Sequence, residues 1–194
     1  MRVFFCLPIP ASVRAGIESV SKRLRDVVGE PASWVRPENY HITVRFLGDI
    51  DPMLTLELES LVRDIVGSFS PFDVAIDRIG AFPSMDRARV LWVGGPDCEP
   101  FSSLTAALNG RLEALGFPAD RKAATVHVTI ARVKGSAAPQ LPGEIAGLNP
   151  LPGWSVRIDR VVLMESRLLP GGAAYTPLFT VQLSDLRHRG EEAG

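Results

Sequence analysis

"YHITVRFLG", residues 40–48, carries the reading from which the fold follows. Ile42, Val44 and Phe46 alternate with His41, Thr43 and Arg45, the period-two pattern of a strand with one face turned to a core. The opposite face holds an imidazole, a hydroxyl and a guanidinium. The pattern returns 86 residues later as "HVTIAR", beginning at His127. A second match follows the first: "AIDRIGAF" from Ala75 is echoed by "RIDRVVLM" from Arg157. His41 to Asp77 is 36 residues and His127 to Asp159 is 32, so two segments recur in the same order at nearly the same spacing. The economical reading is a duplicated unit. Two related lobes would each bring one His-x-Thr strand to a shared groove.

Composition bounds this reading. With 194 residues, 46% of them hydrophobic, the chain can bury a full core as one domain or two small lobes. Its 21 basic and 22 acidic side chains leave a net charge of -1, which argues against a protein that coats duplex nucleic acid or an anionic membrane. No apolar run approaches the ~20 residues of a membrane span, and "MRVFFCLPIP" lacks the cleavage site of a signal peptide. Cys6 and Cys98 stand in no metal-like spacing and read as reduced thiols. The expectation is a soluble, cytoplasmic monomer.

The remaining pattern alternates strands and helices. Val3, Phe5 and Leu7 mark a first strand, and Val13, Ile17, Val20, Leu24 and Val27 a helix stopped by Gly29. Asp51 as N-cap and Pro52 open a second helix with the stripe Leu54, Leu58, Leu61 and Ile65, closed near Gly67. Strands are expected around 72–80 and 89–95, then a helix carrying Phe101, Leu104, Leu108, Leu112 and Leu115, then a strand over 126–132. At most a short helix fits the Gly-, Pro- and Ala-rich 135–153, and strands over 154–165 and 174–183 finish the domain. Residues 1–186 are expected to form one bilobal domain and 187–194 a flexible polar tail, in which His188 is a solvated bystander.

On a strand, residues i and i+2 project together, so His41 stands beside Thr43 and His127 beside Thr129. One neutral imidazole can take a proton from an attacking water while the other, protonated, donates to a leaving oxygen. The two hydroxyls can hold non-bridging phosphoryl oxygens. This scheme requires no metal and no cofactor. A single His-x-Thr is ordinarily a satisfied, half-buried histidine and a β-favouring threonine. Two of the chain's three histidines falling in one repeated pattern is a different matter. An HExxH or close H-x-H arrangement, which would suggest a metal-dependent hydrolase, is absent from the sequence.

The paired "HITV" and "HVTI", with "RVFFCLPIP", "WVRPENYHITVRFLGDI" and "VLWVG", resemble the two-histidine (2H) phosphoesterases, and within them the LigT-like RNA 2′,3′-cyclic phosphodiesterases. The resemblance runs from Met1 to about Leu183. It implies an α+β, bilobal, duplicated fold, two antiparallel sheets lining a central cleft with helices outside. It also implies metal-independent hydrolysis of an RNA 3′ end or nucleotide bearing a 2′,3′-cyclic phosphate to a 2′-phosphate, with 2′,5′-RNA ligation as a side activity. By the same resemblance His41 is the proton donor, His127 the proton acceptor, and Thr43 and Thr129 hold the phosphate. It adds Phe46 against the terminal nucleobase and Arg132 on the phosphate, each five positions after its histidine. Strict alternation places these two on the face opposite the histidines, so either a bulge or strand end redirects them or the two residues do not carry over. Arg45, which alternation places beside His41 and Thr43, is a candidate for the nucleic-acid backbone. Arg121, Lys122, Arg132 and Lys134 form a basic cluster around the second histidine. The segment "RKAATVH" carries Val126 where such proteins usually have proline. A nucleotide-binding module that keeps the pocket without turnover is the alternative, and turnover discriminates the two.

Overall fold

A computed structural model describes residues 1–28, 32–120, 123–134, 141–170 and 172–184. The strands are β1 (Arg2–Pro8), β2 (Ala32–Trp34), β3 (His41–Asp49), β4 (Phe72–Ile76), β5 (Arg78–Phe82), β6 (Val90–Gly94), β7 (His127–Val133), β8 (Trp154–Ile158), β9 (Arg160–Leu169) and β10 (Gly172–Gln182). Between them run the helices α1 (Ala11–Val28), α2 (Thr55–Val66), α3 (Glu99–Ala114) and α4 (Leu141–Leu148). Each long helix follows from its apolar stripe. Val13, Ile17, Val20 and Leu24 of α1 are buried, as are Leu58, Leu61 and Ile65 of α2 and Phe101, Leu104, Leu108 and Leu112 of α3. The Asp51 carboxylate accepts from the Met53 N–H at 2.9 Å, capping the short turn that leads into α2.

The main sheet runs β10-β9-β1-β3-β7-β6-β5, with β2 added on β7, and β4 pairs β8 in a separate ribbon. All recorded pairings are antiparallel. This order is symmetric about the β3–β7 contact: β1 answers to β6, and β9 to β5. The unit β1-α1-β3-α2-β4-β5 therefore recurs as β6-α3-β7-α4-β8-β9. The last strand of each unit pairs with the first strand of the other, β9 with β1 and β5 with β6. The helices keep the same rule, α3 packing on α2 and β3 while α1 packs on α4 and β7. A single apolar cluster, from Val3 through Leu183, joins the helices to the sheet.

Several sequence expectations are refined. The two sheets form one continuous sheet, joined where Ile42 faces Val128. The strands expected over 72–80 and 154–165 each break at an aspartate, Asp77 and Asp159, where the chain passes from the β4–β8 ribbon to the main sheet. Each aspartate pairs with the following arginine, Asp77 with Arg78 at 2.7 Å and Asp159 with Arg160 at 3.1 Å. A period-two pattern continues across such a junction, because a strand that changes partners keeps its alternation. Leu115 leaves the stripe of α3 and is 40% exposed, because the helix ends at Ala114 and Gly116 takes a φ of 88°. β2 has no counterpart in the sequence reading. Gly29, the tail from 187, His188, Arg121 and Lys122 lie outside the described residues.

Candidate active site

The geometry of the site comes from one register. Ile42 pairs antiparallel with Val128, and both are fully buried on the helix side. One residue to either side, antiparallel geometry sets His41 against Thr129 and Thr43 against His127 on the opposite face. All four side chains are half-buried. The two-fold axis thus passes through the middle of the set, and each imidazole has the other strand's hydroxyl as its cross-strand neighbour.

Each imidazole is oriented by its own chain. Nδ1–H of His41 donates to the Asn39 carbonyl at 2.7 Å, and Nδ1–H of His127 donates to the Thr125 carbonyl at 2.9 Å. A carbonyl only accepts, so Nδ1 carries the proton and Nε2 presents its lone pair when the ring is neutral. The Thr43 hydroxyl donates to Nε2 of His41 at 3.1 Å. The Asn39 side chain is itself tied across the sheet, its Nδ2–H donating to Ala173 O at 2.7 Å. Burial pushes the His41 pKa down to about 4, with the charges of His127 and Arg132 adding to the effect against the Asn39 carbonyl. His127 is lowered by burial too, opposed by the Thr125 carbonyl and helped by Arg132.

A bulge recurs in both strands. Phe5 pairs with Arg45 and Cys6 with Thr43, so Val44 is the extra residue in β3. Leu91 pairs with Ala131 and Trp92 with Thr129, so Ile130 is the extra residue in β7. The burial patterns then agree position by position: half-buried, buried, half-buried, buried, buried, exposed from His41 to Phe46 and from His127 to Arg132. Beyond the bulge Phe46 shares the histidine face, since the Phe4 ring lies 4.8 Å from His41 and 5.4 Å from Phe46. Arg132 occupies the equivalent place in β7 and acts electrostatically on both imidazoles. The same bulge removes Arg45 from the position that alternation gave it. Arg45 is only 5% exposed; it pairs with Asp120 at 3.2 Å and donates to Pro118 O, so its guanidinium is not offered to a nucleic-acid backbone.

The surroundings of the two histidines differ. His41 sits against Phe4 and, edge to face at 5.3 Å, Tyr175. His127 meets Phe82 edge to face at 5.0 Å and Trp92 at 6.3 Å. Tyr175, Phe82 and Trp92 carry no local signature, because their place near the site depends on β5, β6 and β10 joining the same sheet. A cavity of about 410 Å³ beside His41 includes Asn39, Arg14, Arg160 and Tyr175, and one of about 560 Å³ beside His127 includes Thr43, Phe46, Phe82 and residues of α3. Val126 is buried, like Tyr40 at the equivalent position before His41, and its carbonyl accepts from Gly95 N–H at 3.2 Å. Of the expected basic cluster, Arg132 and Lys134 are described and exposed. Among the described residues, no group of three or more His, Cys, Asp or Glu side chains is placed to hold a metal ion. No described helix is long and apolar enough to cross a membrane.

Comparison with known proteins bears on this arrangement. The family model described as "LigT like Phosphoesterase" matches residues 7–92 and 95–175. The chain is 30% identical to the RNA 2′,3′-cyclic phosphodiesterase of Methanothermobacter thermautotrophicus, over 94% of this chain and 99% of that one. It is 32% identical to the protein of the same name from Aeropyrum pernix, over 82% and 93%. Among solved structures, TT0787 of Thermus thermophilus superposes with a TM-score of 0.78 at 25% identity, covering 94% of this chain and 98% of that one. E. coli LigT complexed with 3′-AMP superposes with a TM-score of 0.75 at 24% identity and the same coverage.

Proposed function

Because the chain belongs to the LigT-like phosphoesterase family, we propose that it hydrolyses the 2′,3′-cyclic phosphate of an RNA 3′ end or nucleotide to a 2′-phosphate. The observation that carries this is the Ile42–Val128 register, which gathers two imidazoles and two hydroxyls on one face of the sheet. His127 Nε2 takes the proton of the attacking water as its oxygen bonds to phosphorus. His41, protonated at Nε2, donates to the departing 3′ oxygen. Thr43 and Thr129 donate to the non-bridging oxygens, and Arg132, exposed on the same face, counters the charge that grows there. Phe46, 55% exposed, offers a face to the terminal nucleobase.

The resting protonation states fit a site that is completed by substrate. Both imidazoles are neutral-biased when the cleft is empty. An anionic phosphate between them favours one imidazolium, so substrate brings the acid into being beside its leaving group. Ligation to a 2′,5′ linkage would be the same displacement with a ribose 5′-hydroxyl in place of water, its oxygen bonding to phosphorus as the 3′ oxygen leaves, and would use the same groups. The test is turnover of nucleoside and oligonucleotide 2′,3′-cyclic phosphates in the presence of a chelator, with the product identified by phosphorus NMR. A 2′-phosphate is expected. A 3′-phosphate, or no ring opening by folded protein, would reject the reading.

A further inference from the structure

The internal two-fold matches β5 to β9 and β6 to β1, and it gives β10 no counterpart. Beyond β9 the main sheet continues with β10; beyond β5 it ends among the described residues. By the pairing registers, Phe82 and Trp92, the rings beside His127, answer to Met164 and Cys6. The ring set edge to face on His41 therefore comes from outside the repeat. It is Tyr175 of β10, 5.3 Å from the imidazole and 5.0 Å from Phe4.

Tyr175 stands on an arm. Glu165 is the last residue of β9 to pair with β1, and past it residues 166–169 pair with 172–175 as a two-stranded extension. Leu168 is 80% exposed, so its side chain does not anchor the arm by packing. A two-stranded ribbon is marginal in water by itself and takes its position from what it is tied to. One tie is Asn39, 134 residues away in sequence, whose Nδ2–H donates to the Ala173 carbonyl at 2.7 Å. The carbonyl of the same residue accepts from Nδ1–H of His41 at 2.7 Å. Asn39 thus meets the arm with its side chain and the imidazole with its backbone. At the second motif Thr125 supplies the equivalent carbonyl to His127, but its hydroxyl donates to Ala123 O at 3.5 Å, within its own loop.

We infer that Asn39 is a positioning residue for His41: its amide holds the β9–β10 arm at the entry to β3, and the arm seats the Tyr175 ring against the imidazole. That the seated group is a proton donor rests on the cyclic phosphodiesterase reading; the seating itself does not. An imidazole held at Nδ1 by a hydrogen bond and flanked by an aromatic ring keeps Nε2 in one place, and small misplacements of a reacting group cost rate heavily. The titratable and charged groups around His41 are Tyr175 from β10, Cys6 from β1, and His127 and Arg132 from β7. Arg14, Glu38 and Arg160 line the cavity beside it. Exchanging Asn39 for an uncharged side chain leaves every one of these charges in the protein.

The experiment follows the ring resonances of both histidines by NMR as pH is varied, in the free protein, for wild type, Asn39→Ala, Tyr175→Ala, Tyr175→Phe and the double variant Asn39→Ala/Tyr175→Ala. Asn39→Ala keeps the carbonyl that accepts from Nδ1 and removes only the amide. Burial holds the His41 pKa down, so releasing the arm should raise its midpoint by about half a pH unit or more, with His127 moving less than about half as far. Tyr175→Ala should raise it at least as much, and Tyr175→Phe, which keeps the ring, should titrate like wild type. The double variant should match Tyr175→Ala, because both substitutions act through one contact. In turnover of a nucleoside 2′,3′-cyclic phosphate, Asn39→Ala should lower kcat about tenfold with KM within about twofold. An unchanged His41 midpoint in Asn39→Ala, equal shifts of both histidines, or additive effects in the double variant would overturn the inference. Loss of folding in Asn39→Ala but not in Tyr175→Ala would identify a merely structural residue and overturn it as well. If wild type opens no cyclic phosphate, the phosphodiesterase reading fails by itself, and the titrations still decide whether Asn39 seats His41.

Discussion

His41 and His127 are each presented by a backbone carbonyl two residues upstream, Asn39 O and Thr125 O. That shared device fixes the tautomer of both rings and leaves Nε2 for chemistry. In the proposed mechanism their roles are opposite, so loss of either should be severe. His41→Ala and His127→Ala are each expected to lower kcat on the order of 10²-fold or more, in single-turnover assays at saturating substrate. On the proposed mechanism Thr43→Val and Thr129→Val would each remove a hydrogen bond to the developing charge and should cost about 2 to 4 kcal/mol of transition-state stabilisation, by analogy with a lost oxyanion donor. With the His41 pKa near 4 in the empty site and raised by a bound anion, nucleotide binding at pH 7 should take up a proton. Calorimetry in buffers of different ionisation enthalpy would detect it. The optimum of kcat/KM, which reports the free protein, should lie at lower pH than that of kcat.

At the scale of elements, the two bulges do what alternation cannot. Val44 and Ile130 each add one residue, so Phe46 and Arg132 turn to the histidine face while Arg45 turns inward to Asp120. The sequence carries a trace of this only in "HVTIAR", where Ala131 and Arg132 reverse the alternation, whereas "HITVRF" alternates without a break. β6 and β5 shape the other side of the site. Gly80 of β5 faces Trp92 of β6 so closely that a Cβ would strike the indole, which lies beside His127. Gly80→Ala should therefore destabilise the protein by roughly 1 to 3 kcal/mol and shift the His127 ring resonances, measured by thermal unfolding and by NMR.

Over the whole molecule, the exchanged strands make the two halves interdependent. β9 completes the sheet of β1, and β5 that of β6, so neither repeat holds its own sheet together. Fragments 1–88 and 89–194 should fail to fold singly and should reassemble when co-expressed, as judged by co-purification and recovery of the pH-dependent activity. The buried histidines add a pH dependence of stability. A histidine whose pKa is lower in the folded state leaves the unfolded chain binding more protons between the two values. Stability is then complete above about pH 6.5 and falls as pH drops toward 4, the folded value of His41. Urea midpoints at pH 7.5 and pH 4.5 should differ in that direction. His41→Phe, which removes the titration, should lessen the difference.

Local pattern in the sequence determined the strands and helices, the duplication, and the pairing of each imidazole with a hydroxyl, because alternation, apolar stripes and repeated spacing are properties of neighbours along the chain. Only the tertiary structure decided that β3 and β7 lie side by side in one sheet, that strands break at Asp77 and Asp159 to change partners, and that Tyr175, Phe82 and Trp92 surround the histidines. It also decided the fate of Arg45, whose burial depends on one extra residue in a pairing register and on Asp120, 75 residues away. Register, sheet order and cavity lining arise between segments distant in sequence, and the residues that meet there carry no mark of one another before the chain folds.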